Sequence, residues 1–235
     1  MKNCRRREII IKLDKHKDKP EIDYTLYLVT DREMIGDRDL IEEVKKAVEG
    51  GVTLVQLREK GLPTRDSYHI ARRLKEVLSE MDVPLLINDN VDIALAVDVD
   101  GVHLGDEDLP IDVARELLGR DKIIGRSVSD RDDAVRAEKM GADYLGLGPV
   151  YPTTTKEGAD VGLDASTIDE VTGAVSIPVV GIGGIDADNI AEVAEYPFSG
   201  VAVVSAIMAK DDPRRAAKAL KQGWNRAEKR EEADR

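Results

Sequence analysis

The chain of 235 residues has one cysteine, three histidines and only 3% aromatic residues, and these shortages exclude several kinds of protein. Because Cys4 is the only cysteine, no disulfide can form within the chain, and a reducing, cytoplasmic location is expected. No apolar run is long enough to cross a membrane, and the amino terminus is charged where a signal peptide is apolar. Neither a membrane protein nor a disulfide-stapled secreted domain is therefore expected.

Charge is abundant and unevenly distributed. The formal net charge is −12, yet residues 1–19 carry eight Lys or Arg against three Asp or Glu, which leaves −17 on the rest of the chain. Such an acidic body repels nucleic acid and anionic membrane surfaces, so we expect neither as a partner. The basic segment is more typical of a solvated, loosely ordered extension than of a nucleic-acid tail.

Short apolar runs alternate with amphipathic helical patterns from Tyr24 onward. The runs are rich in Val, Ile and Leu without strict alternation, as in parallel strands that are buried on both faces. They cover residues 24–30, 53–59, 84–89, 101–105, 123–128, 144–150, 178–184 and 200–207. Gly50, Gly119 and Gly141 stand where the helical patterns end. Eight strand–helix units in about 190 residues predict an α/β fold, a single (β/α)8 TIM barrel, rather than a doubly wound sheet.

The chain divides into three predicted parts. A basic amino-terminal extension covers 1–22, the barrel catalytic domain covers 23–225, and a charged tail covers 226–235. The final helix of the barrel is expected to run from about Pro213 to Trp224. The sequence leaves the oligomeric state open and is compatible with a homo-oligomer.

Polar side chains stand at the ends of predicted strands 2 to 4, and in a barrel the carboxyl ends of the strands form the functional face. They are Gln56, Arg58, Lys60, Asn88, Asp89 and Asp108. Two cations and two carboxylates favour a diphosphate bound with Mg²⁺, which prefers one or two carboxylates together with phosphate oxygens and water. Two alternatives remain open: each aspartate could cap the following helix, and Arg58 with Lys60 could be a surface pair balanced by Glu59.

The segment GLGPVYPTTTK, residues 146–156, follows predicted strand 6 and is rich in hydrogen-bond donors. Thr153, Thr154 and Thr155 offer hydroxyls, and Lys156 offers a compact positive charge, which together suit a phosphate-bearing ligand. The alternative is a solvated turn in which the threonines close local hydrogen bonds.

A second phosphate signal lies at the ends of predicted strands 7 and 8. The GIGG segment ending at Gly184 precedes a predicted helix and offers backbone N–H groups at its amino terminus, and strand 8 ends in Val204 and Ser205. Phosphate sites of barrels commonly use these two loops, although a tight turn that needs glycine is the simpler alternative. We therefore expect a metal–diphosphate site over strands 2 to 4 and a monophosphate site over strands 6 to 8.

The sequence carries no nucleophile motif, since it has no G-x-S-x-G elbow and no cysteine in the predicted barrel. Ser127 ends predicted strand 5, and His103 is the only histidine near the expected functional face. A hydrogen-bonding role is expected for His103, with general acid–base catalysis the less favoured alternative.

Taken together, these segments resemble the thiamine-phosphate synthase (thiamine-phosphate pyrophosphorylase) family over roughly residues 24–210. The matching blocks, in order, are YLVTDRE, VQLREK, LLINDN, GVHLGDED, GADYLGLGPVYPTTTK, IPVVGIGGI and GVAVVSAI. The resemblance implies a Mg²⁺-dependent transferase that joins hydroxymethylpyrimidine diphosphate to hydroxyethylthiazole phosphate, giving thiamine phosphate and pyrophosphate. It also implies a dissociative reaction in which pyrophosphate leaves first and the thiazole nitrogen traps the resulting methylene cation.

The resemblance further implies a role for each matched residue. The pyrimidine diphosphate would be held by Gln56, Arg58, Lys60 and Asn88, and Mg²⁺ by Asp89 and Asp108. Ser127 would contact the pyrimidine or the departing pyrophosphate, which Lys156 would face. The thiazole phosphate would be held by Thr153 and Thr155 and by backbone groups of Gly184, Val204 and Ser205, and Thr154 is also counted among the substrate-binding residues. Arg58, Lys60, Ser127 and Lys156 would thus be the catalytic set.

Two departures from the family pattern matter. Asp106 stands where the family usually has Gln, which leaves the metal ligand among residues 106–108 less certain. GRSV at 125–128 also resembles the paralogous thiazole tautomerase, but Ser129 stands where that paralogue would carry a catalytic His. The alternatives are this tautomerase and a non-catalytic thiazole-phosphate sensor, which would not need the complete diphosphate set.

Overall fold

The computed structural model describes residues 19–153 and 161–234, and in it eight parallel strands close into a barrel in the order β1 to β8. The strands are β1 Leu26–Val29, β2 Leu54–Leu57, β3 Leu85–Asn88, β4 Gly101–Leu104, β5 Ile123–Val128, β6 Tyr144–Leu147, β7 Val179–Ile182 and β8 Gly200–Val203. Each lies within the apolar run that predicted it, and β1 pairs with both β2 and β8. The predicted single (β/α)8 TIM barrel is confirmed.

Helices follow the strands and cover the outside of the barrel. They are α1 Arg32–Ile35, α2 Leu40–Glu49, α3 Thr64–Ser79, α4 Val91–Val97, α5 Ile111–Leu118, α6 Arg131–Met140, α7 Ala165–Thr172, α8 Ile190–Val193, α9 Ser205–Met208 and α10 Pro213–Asp234. Gly50, Gly119 and Gly141 are the C-caps of α2, α5 and α6, as predicted. No helix in the described ranges is both long enough and apolar enough to cross a membrane.

The core has two layers because successive strand residues face opposite sides. A small cluster that includes Tyr27, Leu54, Leu86, Tyr144 and Val180 fills the inside of the barrel. A larger cluster of Leu, Ile, Val and Ala packs between the strands and the helices. The inner layer forms the floor on which the cavity at the mouth of the barrel rests.

Two helix boundaries differ from the sequence prediction. The last helix continues past Trp224 to Asp234, into the segment predicted as a charged tail, because Ala227 still packs in the core and the following residues are strong helix formers. The helix expected directly after the GIGG segment begins only at Ile190 and has four residues. A turn closed by Asn189, whose side chain donates to the Gly184 carbonyl at 2.8 Å, occupies the space between them.

Candidate active site

A cavity of about 680 Å³ opens at the carboxyl ends of the strands, where the sequence places the functional face. All predicted site residues within the described ranges line it: Gln56, Arg58, Lys60, Asn88, Asp89, Asp108, Ser127, Thr153, Gly184, Val204 and Ser205. The remaining three, Thr154, Thr155 and Lys156, lie outside the described residues. Residues far apart in sequence therefore meet in one cavity.

At the end of β2, the cations Arg58 and Lys60 line the cavity, whereas the acid Glu59 does not. Glu59 forms a two-point ion pair with Arg32, at 2.9 and 3.1 Å, so it does not balance the neighbouring cations. The Arg58 backbone N–H donates to the buried Thr30 hydroxyl at 3.0 Å, and its guanidinium lies 3.4 Å from Asp31. The alternative in which Glu59 balances Arg58 and Lys60 is therefore contradicted.

Asp89 and Asp108 lie close together although they follow different strands. The pKa of Asp89 is raised to about 6. The largest cause is burial, and the hydrogen bond and negative charge of Asp108 add to it, whereas the positive charges of Lys60 and Arg58 act in the opposite direction. The Gly105 N–H donates to Asp108 at 2.6 Å, which fixes one carboxylate oxygen of the pair. Two carboxylates that repel each other in this way are well placed to share a cation.

Asp89 does not cap the helix that follows it. Asn90 occupies the N-cap position of α4 and makes no side-chain cap bond. Asp89 itself has φ +62°, a left-handed conformation that costs free energy in residues other than glycine, and such strain collects at functional sites. The N-cap alternative for Asp89 is therefore wrong, and its carboxylate is directed to the cavity.

The donor set suits Mg²⁺, which takes one or two carboxylates and completes its shell with water and phosphate oxygens. Within the described residues there is no cluster of three or more His, Cys, Asp or Glu side chains that could hold a metal alone. Asp106, the extra acid, accepts from the Arg126 guanidinium at 2.6 Å and is largely exposed. Its charge is thus already paired with Arg126, whereas Asp89 and Asp108 line the cavity and lie beside each other.

The opposite side of the cavity is built by two loops that pair with each other. The N–H groups of Val150 and Tyr151 donate to the carbonyls of Ile182 and Gly183 at 2.9 and 3.0 Å. A Cβ on Gly184, which has φ +65°, would lie 2.6 Å from the Tyr151 Cβ, so only glycine fits there. This packing holds the segment up to Thr153 beside the loop after β7.

The prediction that the GIGG amides after β7 lie at the amino terminus of a helix is wrong. Because α8 begins at Ile190, the Gly183 and Gly184 amides are not at a helix amino terminus. The two glycines have left-handed φ values of +98° and +65°, so the turn alternative describes their conformation correctly. Both glycines nevertheless line the cavity together with Thr153 and Ser205, which is what still connects them to a ligand.

A chain of buried and half-buried hydrogen bonds crosses the barrel along the floor of the cavity, and the sequence interpretation missed most of it. The Gln56 amide donates to the Tyr27 hydroxyl at 2.5 Å, which lies 2.9 Å from the Tyr144 hydroxyl. The two ring nitrogens of His103 lie 2.8 Å from the Tyr144 hydroxyl and 2.9 Å from the Ser127 hydroxyl. The hydrogen-bonding role expected for His103 agrees with this geometry.

A sequence signal for the two missed tyrosines did exist. Tyr27 and Tyr144 lie inside apolar strand runs of a chain with few aromatic residues, and a buried tyrosine hydroxyl needs a hydrogen-bond partner. The partner could not be identified, because the two tyrosines are 117 residues apart.

Comparison with known proteins adds independent findings. The family model for thiamine monophosphate synthase matches residues 26–207. The thiamine-phosphate synthase of Desulfitobacterium hafniense (strain Y51) is 51% identical over 203 residues, covering 86% of this chain and 98% of the relative. That of Syntrophomonas wolfei is 50% identical over 204 residues, covering 87% of this chain and 98% of the relative.

Solved structures agree with these sequence relatives. A thiamine phosphate pyrophosphorylase from Pyrococcus furiosus superposes with a TM-score of 0.80 at 43% identity, covering 87% of this chain and 97% of that one. A 3-hexulose-6-phosphate synthase superposes with a TM-score of 0.63 at 18% identity, covering 85% of this chain and 99% of that one. The second match supports the barrel fold alone.

Proposed function

The chain belongs to the thiamine monophosphate synthase family, and on that premise we propose that it joins hydroxymethylpyrimidine diphosphate to hydroxyethylthiazole phosphate. The products are thiamine phosphate and pyrophosphate, and the enzyme is a transferase. The observation that carries the proposal is that Arg58, Lys60, Asp89 and Asp108 line one cavity together with Thr153. One cavity with two polar sides suits two phosphorylated substrates that must react with each other.

The diphosphate side would hold the pyrimidine substrate. Asp89 and Asp108 are the residues that would bind Mg²⁺, and the bound ion would supply positive charge to the departing pyrophosphate. Arg58 and Lys60 place two further cations on that side, and Ser127 offers a hydroxyl. Gln56 and Asn88 offer amide groups for the polar edge of the aminopyrimidine.

The thiazole phosphate would lie on the other side of the cavity. We assign it to the hydroxyls of Thr153, Thr154 and Thr155 together with backbone groups of Gly184, Val204 and Ser205. Lys156, at the end of the same segment, is assigned to the pyrophosphate. This division puts the thiazole ring between the two anions, so its nitrogen can face the carbon from which pyrophosphate departs.

The reaction then needs charge stabilisation and positioning rather than a nucleophilic side chain. The bond between the pyrimidine methylene carbon and the diphosphate oxygen breaks, and its electron pair leaves with pyrophosphate. The electron-rich aminopyrimidine stabilises the methylene cation, and the thiazole nitrogen donates its lone pair to form the new C–N bond. Residues aimed at the departing charge stabilise this transition state most strongly. We place the reaction in the cytoplasm, since the chain has a single cysteine.

A direct assay tests the proposal. Both substrates are mixed with the protein and Mg²⁺, and thiamine phosphate and pyrophosphate are measured over time. We expect the two products in equal amounts and no product when either substrate is omitted or a chelator is added. Absence of product while both substrates are bound, as measured by calorimetry, would refute the synthase reaction.

A further inference from the structure

The buried hydrogen-bond chain has a direction, which follows from the donors and acceptors of its members. The Gln56 amide nitrogen can only donate, so the Tyr27 oxygen accepts from it. Within these bonds the Tyr27 proton then has one available acceptor, the Tyr144 oxygen 2.9 Å away, and the reverse direction would leave the buried Tyr27 proton without an acceptor among them. The Tyr144 proton then goes to Nδ1 of His103. A neutral imidazole that accepts at Nδ1 carries its proton on Nε2, and this proton points to the Ser127 oxygen.

The direction determines what Ser127 can do. Its oxygen accepts from His103, so its own proton is free to turn into the cavity that Ser127 lines. Ser127 is then a hydrogen-bond donor, as an anion in the cavity requires. If the chain ran the other way, the Ser127 proton would be held by the imidazole and the hydroxyl would offer the cavity only lone pairs.

Burial makes this arrangement costly to disturb. Tyr27 and Tyr144 are 2% and 0% exposed, and a buried hydroxyl without a partner costs free energy. Burial also raises the pKa of both phenols, so both stay protonated and neutral. The hydrogen-bond chain therefore contains fixed donors rather than groups that change charge.

Two glycines on neighbouring strands make room for the rings of the hydrogen-bond chain. A Cβ on Gly125 would lie 2.1 Å from the tip of the Tyr144 ring, and a Cβ on Gly146 would lie 3.1 Å from the His103 ring. Gly125 pairs with Tyr144, and Gly146 pairs with Ser127, in the register of β5 and β6. The strand residues around the chain are thus shaped to seat these two rings.

We propose that Tyr144 and His103 are positioning residues that hold the Ser127 hydroxyl as a donor toward the departing pyrophosphate. Through Tyr27 they connect it to Gln56, at the pyrimidine end of the same cavity. Neither Tyr144 nor His103 exchanges a proton with a substrate in this scheme. The role presupposes the proposed synthase reaction, but the proton arrangement itself is a property of the free protein.

The first test measures the proton arrangement in the wild-type protein and uses variants only to assign the signals. The ring ¹⁵N shifts of His103 are recorded at alkaline pH in free wild-type protein, and assigned with His16→Gln and His69→Gln variants. We expect an unprotonated Nδ1 and a protonated Nε2. A His103 that carries its proton on Nδ1 would overturn the proposal, because Nε2 would then accept the Ser127 proton instead of donating to the Ser127 oxygen.

The second test is a double-mutant cycle on turnover. Tyr144→Phe keeps the ring and removes the hydroxyl, and we expect it to lower kcat about fivefold, the value of one hydrogen bond, with KM for the thiazole phosphate unchanged. In a Ser127→Ala background the same change should lower kcat less than about twofold, because Tyr144 acts through Ser127. Tyr24→Phe is the matched control. The ring centroids of Tyr24 and Tyr144 are 4.9 Å apart, but Tyr24 is not a member of the hydrogen-bond chain.

The outcomes separate this role from the reaction. Additive effects of Tyr144→Phe and Ser127→Ala, or an equal loss in Tyr24→Phe, would show that Tyr144 is merely structural and would overturn the proposal. An inactive wild-type protein would refute the synthase reaction instead, and the ¹⁵N measurement would still report the direction of the chain. Melting curves show whether each variant is folded, and if Tyr144→Phe does not fold, the ¹⁵N result decides.

Discussion

Replacing Asp89 with Asn should make the metal-free protein more stable while it lowers activity. The Asp89 pKa is raised to about 6 from an ordinary value of 3.8, so the ionised carboxylate is unfavourable in the folded state at neutral pH. Two pKa units correspond to about 3 kcal/mol, and solvent screening of this half-buried group reduces the expected gain to roughly 1–2 kcal/mol. Asn also tolerates the left-handed backbone at this position, so the substitution adds no strain.

The pH dependence has a definite sign. A carboxyl group whose pKa is raised by folding contributes its full stability below pH 3.8 and loses it as the pH rises through about 6. The stability advantage of Asp89→Asn should therefore be absent near pH 4, grow up to about pH 6, and stay constant above it. Urea unfolding in the presence of a chelator, at a series of pH values, measures this difference.

Activity should change in the opposite direction. We expect Asp89→Asn to lower turnover at saturating substrate by at least about tenfold and to weaken its dependence on Mg²⁺, because one of two metal carboxylates is lost. Asp112→Asn, an exposed acid at the start of α5, is the control for the change of net charge. A variant that is less stable than wild type at pH 7 without metal, or that keeps full activity, would refute the reasoning.

Three further predictions concern other parts of the cavity. Lys156→Ala should impair binding and turnover of the pyrimidine diphosphate more than binding of the thiazole phosphate, and equal losses in the two Michaelis constants would contradict the division of roles. Gly184→Ala should raise KM for the thiazole phosphate and should destabilise the folded protein by more than the control Gly61→Ala does. Both positions have φ above +60°, but Gly61 has open space around it, so Gly61→Ala should lower the free energy of unfolding by only about 1 kcal/mol. Asp106→Gln should change turnover less than about twofold, because this carboxylate is already paired with an arginine, whereas Asp108→Asn should lower it at least about tenfold.

Local patterns were sufficient to predict the barrel and most of the cavity wall. A strand buried on both faces needs a continuous apolar run, so each strand can be recognised in the sequence without knowledge of the strands it pairs with. Once a parallel barrel is predicted, the carboxyl ends of all strands must lie on one face, and residues from Gln56 to Ser205 can be placed there by their position at or just after such an end. The Thr30–Asp31 end of β1 follows the same rule and could have been found in the same way.

Contacts across the barrel could not be predicted from local patterns. Whether Asp89 caps a helix or faces a ligand depends on its backbone angle, and whether Asp106 is free depends on Arg126, which lies 20 residues away on another strand. The delayed start of α8 likewise follows from the turn that Asn189 closes, and the GIGG motif does not reveal it.

Residue type and order along the chain thus determine the strands, the face on which the polar groups meet, and the family. The direction of the hydrogen-bond chain from Gln56 to Ser127, the proximity of Asp89 to Asp108 and the pairing of Asp106 arise only when the barrel closes. The physical reason is that apolar periodicity acts over a few neighbouring residues, whereas a hydrogen bond or an ion pair depends on distances of about 3 Å between atoms from different strands.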